Sequence, residues 1–281
     1  MKIIDLTDYY LDFLVDKNSP DLYFATYPSL FDHYFQYWSN KKAAFHRMTR
    51  KEVYRKKLMI KKSIEQAEIY FANYNLDTSD IKIVLFVGQN TTNGHAFIDS
   101  HSATTFIPIE SYHSPDYADV FCIHEVAHAM HYLLSPAFYF KDKKEKEIIS
   151  RNLICEGIAS LFSKEILQIN DGVALWADYL SKDQLKNWID KCMQECNALK
   201  GHCKNNFYTS DPHLFYVWDF QNPFKSRGGY WLGIKLIEKI KTQENLSLNT
   251  ILTIPRNVFE HKILKELESE DLCQYIKCVL H

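Results

Sequence analysis

The 281-residue sequence has little glycine and little proline, eight of each, and nowhere gathers them into a linker or a low-complexity segment. It has no internal repeat, which excludes solenoid and propeller architectures. No apolar run approaches the roughly 20 residues needed to cross a bilayer. The N-terminus turns acidic at Asp5, Asp8, Asp12 and Asp16 instead of continuing into an apolar leader, so a soluble, cytoplasmic chain with no membrane partner is expected. Charge of one sign is missing too: 33 Lys and Arg stand against 35 Asp and Glu, for a net charge of −2 without long blocks of like charge. That balance argues against general affinity for nucleic acid. Seven cysteines is an odd number, in a chain long enough to bury a core without staples, and points to free thiols in a reducing compartment. Cys192, Cys196, His202 and Cys203 fall together, but their spacing matches no common zinc site.

What is present is a mainly helical chain with one strand-rich interval. Residues 1–73 read as helical, with aromatic core positions such as Phe24, Phe31, Tyr34 and Phe35. A basic segment follows from Thr49, where Thr49-Arg-Lys-Glu52 has the form of a capping box, and its lysines and arginines read as a solvated helix face. Between Ile81 and Glu110 the pattern changes to β-branched runs separated by turn residues. The last of these, Thr104 to Ile109, contains Pro108, which cannot donate to a ladder, and is therefore expected at a sheet edge. The fold class expected is α+β: predominantly helical, with a small mixed sheet whose edge strand precedes the central helix, followed by a helical C-terminal lobe. Three segments follow: 1–78, helical; 79–136, sheet plus central helix; and 137–281, helical.

That central helix contains His124-Glu125-Val126-Ala127-His128. Side chains four apart on a helix lie one turn apart on nearly the same face, so His124 and His128 can aim at one point. Neutral imidazoles bind Zn²⁺, and catalytic zinc sites take three protein ligands and leave a position for water. Glu125 beside the first histidine can then reach that water. Ser114-Pro115 supplies a helix start and Ser135-Pro136 a stop, with Ile123, Val126, Ala127, Met130 and Leu134 forming an apolar face. His131 lies on nearly the same face as His124 and either lines the cleft or sits on the surface.

A third ligand is sought downstream. The charged connector Lys141 to Glu147 leads into a second helical pattern holding Cys155-Glu156-Gly157-Ile158-Ala159-Ser160. A carboxylate among apolar residues in mid-helix needs a partner. Glu156 is the candidate, with small neighbours that permit close approach to the first helix; the alternative is a surface glutamate. Further on, Gly228-Gly229-Tyr230 opens another helix, and Gly233 within it permits close backbone contact.

The metal motif, Glu156 with Gly157-Ile-Ala159, and Gly229-Tyr-Trp-Leu-Gly233 together resemble the gluzincin clan of zinc metallopeptidases. More closely they resemble a family of predicted bacterial zinc-dependent proteases of uncharacterised function, over roughly residues 80–265. The first eighty residues carry none of the likeness. Thermolysin-like members have Asn before the glutamate ligand and Asp four after it. Here Cys155 and Ser160 stand there, so the surroundings of Glu156 must be built differently. The Gly-x-Met-Glu-Asn stretch of the aminopeptidase branch is missing. The resemblance implies a zincin-like fold, one Zn²⁺ held by His124, His128 and Glu156, Glu125 as general base, and a peptide or protein substrate. Tyr230 is the first choice to stabilise the oxyanion, before Arg227, His213 and Tyr208; a packed core tyrosine is the other reading of Tyr230. The alternative function is a zinc-binding, catalytically inactive interaction protein.

Overall fold

A computed structural model describes residues 1–99 and 102–279, and the chain divides into two units, one of residues 1–133 and one from Leu134 onward. In the first unit, Lys2–Asp5 (β1), Lys82–Phe86 (β2), His95–Asp99 (β3) and Ser102–Pro108 (β4) form one sheet in the order β1-β2-β4-β3. The first three of that order run parallel, and β3 pairs antiparallel with β4. Ile81 and the residues from Ile83 to Val87 are almost wholly shielded, as suits a continuous apolar run in a strand covered on both faces.

Two expectations are corrected by this sheet. The strand before the motif helix is β4, which is paired on both sides; the edges belong to β1 and β3. Pro108 is tolerated there because it is the last residue of β4, and pairing with β3 has already ended at Phe106 opposite His95. The opening Lys2–Asp5, read as part of a helical segment, is a strand. Its ladder to buried β2 continues in a bond from the Lys2 N–H to the Ile81 carbonyl at 2.9 Å, so a neighbour and not a local pattern makes it β.

Helices follow in the order Thr7–Tyr9 (α1), continued by a π turn over Tyr10–Asp16, then Pro20–Phe24 (α2), Pro28–Tyr37 (α3), Arg50–Asn73 (α4) and Pro115–Leu134 (α5). The aromatic residues of the N-terminal segment are core, as expected: Phe31 and Tyr34 of α3 meet Phe86 at ring separations of 5.9 and 5.2 Å, and Tyr34 meets Phe106 at 5.8 Å. Side chains alternate between faces along a strand, so Thr105 points away from Phe106. Its hydroxyl donates to the Glu125 carbonyl at 3.1 Å and pins α5 to the opposite face. The capping box at Thr49 and Glu52 forms. Part of the basic face of α4 is internally paired, with Lys57 and Lys61 on Asp5.

The second unit contains Lys143–Lys146 (α6), Ile149–Leu167 (α7), Asp171–Trp176 (α8), Lys182–Gln194 (α9), Cys196–Asn205 (α10), Gly228–Glu244 (α11), Leu248–Leu252 (α12), Arg256–Glu268 (α13) and Leu272–Val279 (α14). Helices α7 and α11 cross at two glycines. A Cβ on Gly233 would stand 2.4 Å from the Leu153 carbonyl oxygen, and one on Gly157 2.7 Å from the Gly233 carbonyl carbon. The small residue after Glu156 therefore serves contact with α11. Around this crossing Lys164 and Lys235 are shared between Asp171 and Glu238, with Lys235 Nζ 2.5 Å from Asp171 Oδ2.

A disulfide joins Cys196 of α10 to Cys273 of α14, a pairing across 77 positions that corrects the reading of all seven cysteines as thiols. It also removes Cys196 from any metal site with Cys192. Among the described residues no helix is long and apolar enough to cross a membrane.

Candidate metal centre

Helix α5 starts where the sequence places it. The Ser114 hydroxyl accepts from the Tyr117 N–H at 3.0 Å and Pro115 takes the first helical position, where a missing N–H costs nothing. The helix ends at Leu134, before Ser135-Pro136. Its middle differs from expectation: from Val120 to Tyr132 every residue is buried, so the helix is enclosed instead of shielded along one stripe. His131, expected in a cleft or at the surface, has no exposed area.

His124, Glu125 and His128 are each only 4 % exposed. The two imidazole rings meet edge to face at 4.7 Å between centroids, with their Nε2 atoms 3.1 Å apart. Two nitrogens bound to one zinc ion at about 2.0–2.1 Å and a tetrahedral angle would stand roughly 3.3 Å apart, so the pair fits a shared cation. One ligand atom from each of His124, His128 and Glu156 lies within 4.8 Å of the others, a donor set that could hold a metal ion. Two imidazoles and one carboxylate are ligands suited to zinc.

Glu125 is fixed from its backbone by Thr105 and confined at its side chain by Gly94, where a Cβ would stand 2.8 Å from Glu125 Cδ. The segment leading to Gly94 is held by residues that sequence reasoning missed. Buried Glu110 accepts N–H bonds from Gly88 and Asn90, both at 3.0 Å. Burial pushes its carboxyl up from the ordinary value while those two donors pull it back. The Tyr34 hydroxyl accepts from the Gln89 N–H at 2.8 Å. A glutamate following a strand carries no local sign of this role.

Glu156 lies in mid-α7, partly exposed. Burial raises the phenol of Tyr230, third residue of α11, well above its ordinary value, and the charge of Glu156 adds to this. Of the other residues considered for the oxyanion, Arg227 donates to the Leu175 carbonyl and stacks on Trp176, His213 lies beside Trp218, and Tyr208 is exposed.

The family described as predicted Zn-dependent protease (DUF2268) matches residues 59–260. The chain belongs to that family. No curated protein and no solved structure matches it. The stretch shared with the predicted Zn-dependent proteases begins within α4, ahead of the sheet, and ends within α13. It takes in His124, Glu125, His128, Glu156 and Tyr230 together, and the zinc in the family's description agrees with the donor set.

Proposed function

We propose that this member of the family is a gluzincin-type zinc peptidase, in which His124, His128 and Glu156 hold one zinc ion and Glu125 is the general base. The observation that carries the reading is the approach of three donor atoms to within 4.8 Å of one another, with Glu125 next in sequence to one of them. A bound zinc ion would lower the pKa of water toward about 7 and polarise the scissile carbonyl.

The remaining steps belong to the chain. The Glu125 carboxylate takes a proton from the attacking water and returns it to the leaving amine nitrogen. Gly94 and Thr105 restrict the positions open to that carboxylate, so little reorganisation accompanies the transfer. Tyr230, whose phenol feels the Glu156 charge, supplies the hydroxyl that stabilises the tetrahedral oxyanion. The outer edge of β3 runs into Gly94 and thus toward Glu125; main-chain pairing there would lay an extended peptide across the general base.

Replacing Glu125 by Gln tests the role of the base. Zinc content should stay near one per chain while hydrolysis of a peptide mixture, followed as new termini by mass spectrometry, falls by about 10²–10⁴-fold. Hydrolysis at the wild-type rate would refute the assignment.

A further inference from the structure

The loop from Val87 to Gly94 connects β2 to β3 and has no ladder of its own, so its N–H groups need acceptors from elsewhere. Three in succession find them on side chains. The Gly88 N–H donates to Glu110 Oε2 at 3.0 Å, the Gln89 N–H to the Tyr34 hydroxyl at 2.8 Å, and the Asn90 N–H to Glu110 Oε1 at 3.0 Å. Asn90 takes a left-handed backbone, φ 56°, and successive N–H groups in such a turn form a concavity that suits an anion. Here the anion belongs to the chain itself: it is the carboxylate of Glu110, 6 % exposed. A residue larger than glycine at 88 would crowd it, because a Cβ there would stand 2.8 Å from the Tyr34 hydroxyl and 3.0 Å from Glu110 Oε1.

The next residue continues the hold. The Ser111 hydroxyl donates to the Thr92 carbonyl at 2.8 Å, and the Thr92 hydroxyl donates to the Gly94 carbonyl at 2.8 Å and accepts from the Gly94 N–H at 3.3 Å. Glu110 and Ser111, consecutive in sequence, thus tie the loop down at positions 88, 90 and 92, and Thr92 passes the constraint to Gly94. Both sit in the short turn Ile109–Ser111 that leaves β4, and Lys56 Nζ of α4 donates to the Glu110 carbonyl at 2.6 Å, so the hold is anchored on the sheet and on a helix. Gly94, at the far end, is the residue packed against the side chain of Glu125.

We propose that Glu110 and Ser111 are positioning residues, a clamp that sets the place of Glu125 through Thr92 and Gly94. The inference rests on the zinc-peptidase reading for the role of Glu125. A glutamine at 110 has the shape of the carboxylate but only one acceptor oxygen, so one of the two N–H groups would meet an NH2 donor. A buried donor that loses its acceptor loosens the loop, and a small displacement of a general base lowers kcat while leaving KM in place.

The zinc-loaded full-length wild type is compared with Glu110→Gln, Ser111→Ala and Gly94→Ala on one peptide identified as a substrate by its new termini. Glu110→Gln should lower kcat by ~10–100-fold with KM and zinc content unchanged, and Ser111→Ala should do the same to a smaller extent. Combined with Gly94→Ala, Glu110→Gln should add little further loss, since both changes act through one contact. Amide hydrogen exchange followed by mass spectrometry should be ~10–100-fold faster over residues 88–94 in Glu110→Gln, with the second unit unchanged. If Glu110→Gln does not fold, Ser111→Ala, at a partly exposed position, carries the test. An unchanged kcat, a loss that multiplies in full with that of Gly94→Ala, or loop exchange as slow as in the wild type overturns the clamp. The two readings fail separately: a wild type that cleaves no peptide removes the peptidase and leaves the clamp to the exchange measurement, and an active enzyme whose loop and rate ignore both substitutions does the reverse.

Discussion

Gly94 stands so close to Glu125 that a methyl group on its Cα would lie 2.8 Å from both Cγ and Cδ of that side chain. Glu125 is thereby confined by backbone, which moves less readily than another side chain. Gly94→Ala must displace either the entry to β3 or the carboxylate, and overpacking of this kind costs about 1–3 kcal/mol. We expect peptide kcat/KM to fall by ~10–100-fold with zinc content retained, because small displacements of a catalytic group are amplified in rate. Unchanged kcat/KM would show that Gly94 does not set the position of Glu125.

The buried ion cluster of the second unit predicts acid lability. Burial opposes ionisation of Asp171, but the ammonium groups of Lys235 and Lys164 outweigh it and hold its pKa below the ordinary 3.8. A carboxyl group depressed in the folded state contributes stability above its unfolded pKa, and that contribution is lost as pH falls through the folded value. The window therefore opens near pH 4 and extends downward. Asp171→Asn leaves two lysines facing Glu238 alone and should lower stability at pH 7 by about 3 kcal/mol. Urea unfolding at pH 3, 4 and 7 checks both statements; a variant as stable as the wild type at pH 7 would contradict them.

The Cys196–Cys273 disulfide closes a long loop, and cross-links of that kind stabilise by about 2–4 kcal/mol. Reductant should lower the unfolding midpoint of the wild type and leave a Cys196→Ser, Cys273→Ser double variant unmoved. If reductant shifts both proteins equally, the bond is not what it acts on.

Much of this was legible in the sequence, for local reasons. The start and stop of α5, the capping box at Thr49 and the aromatic core of the N-terminal helices depend on neighbouring residues, and the chain carries those signals in order. Glu156 stands out as a candidate because a mid-helix carboxylate between apolar residues needs a partner. Features decided by distant segments were not legible. Lys2–Asp5 is a strand only because β2 lies alongside; β4 is interior because β3 folds back on it; Gly157 meets Gly233, 76 positions away in the chain. The partner of Cys196 could not be told from six candidates.

The central claim is the shared cation, and metal content tests it most directly. After dialysis against a weak chelator, elemental analysis should give one zinc per wild-type chain and well under one for His128→Ala and for Glu156→Ala. A wild-type chain without zinc, or a Glu156→Ala chain that keeps its full complement, would contradict the account.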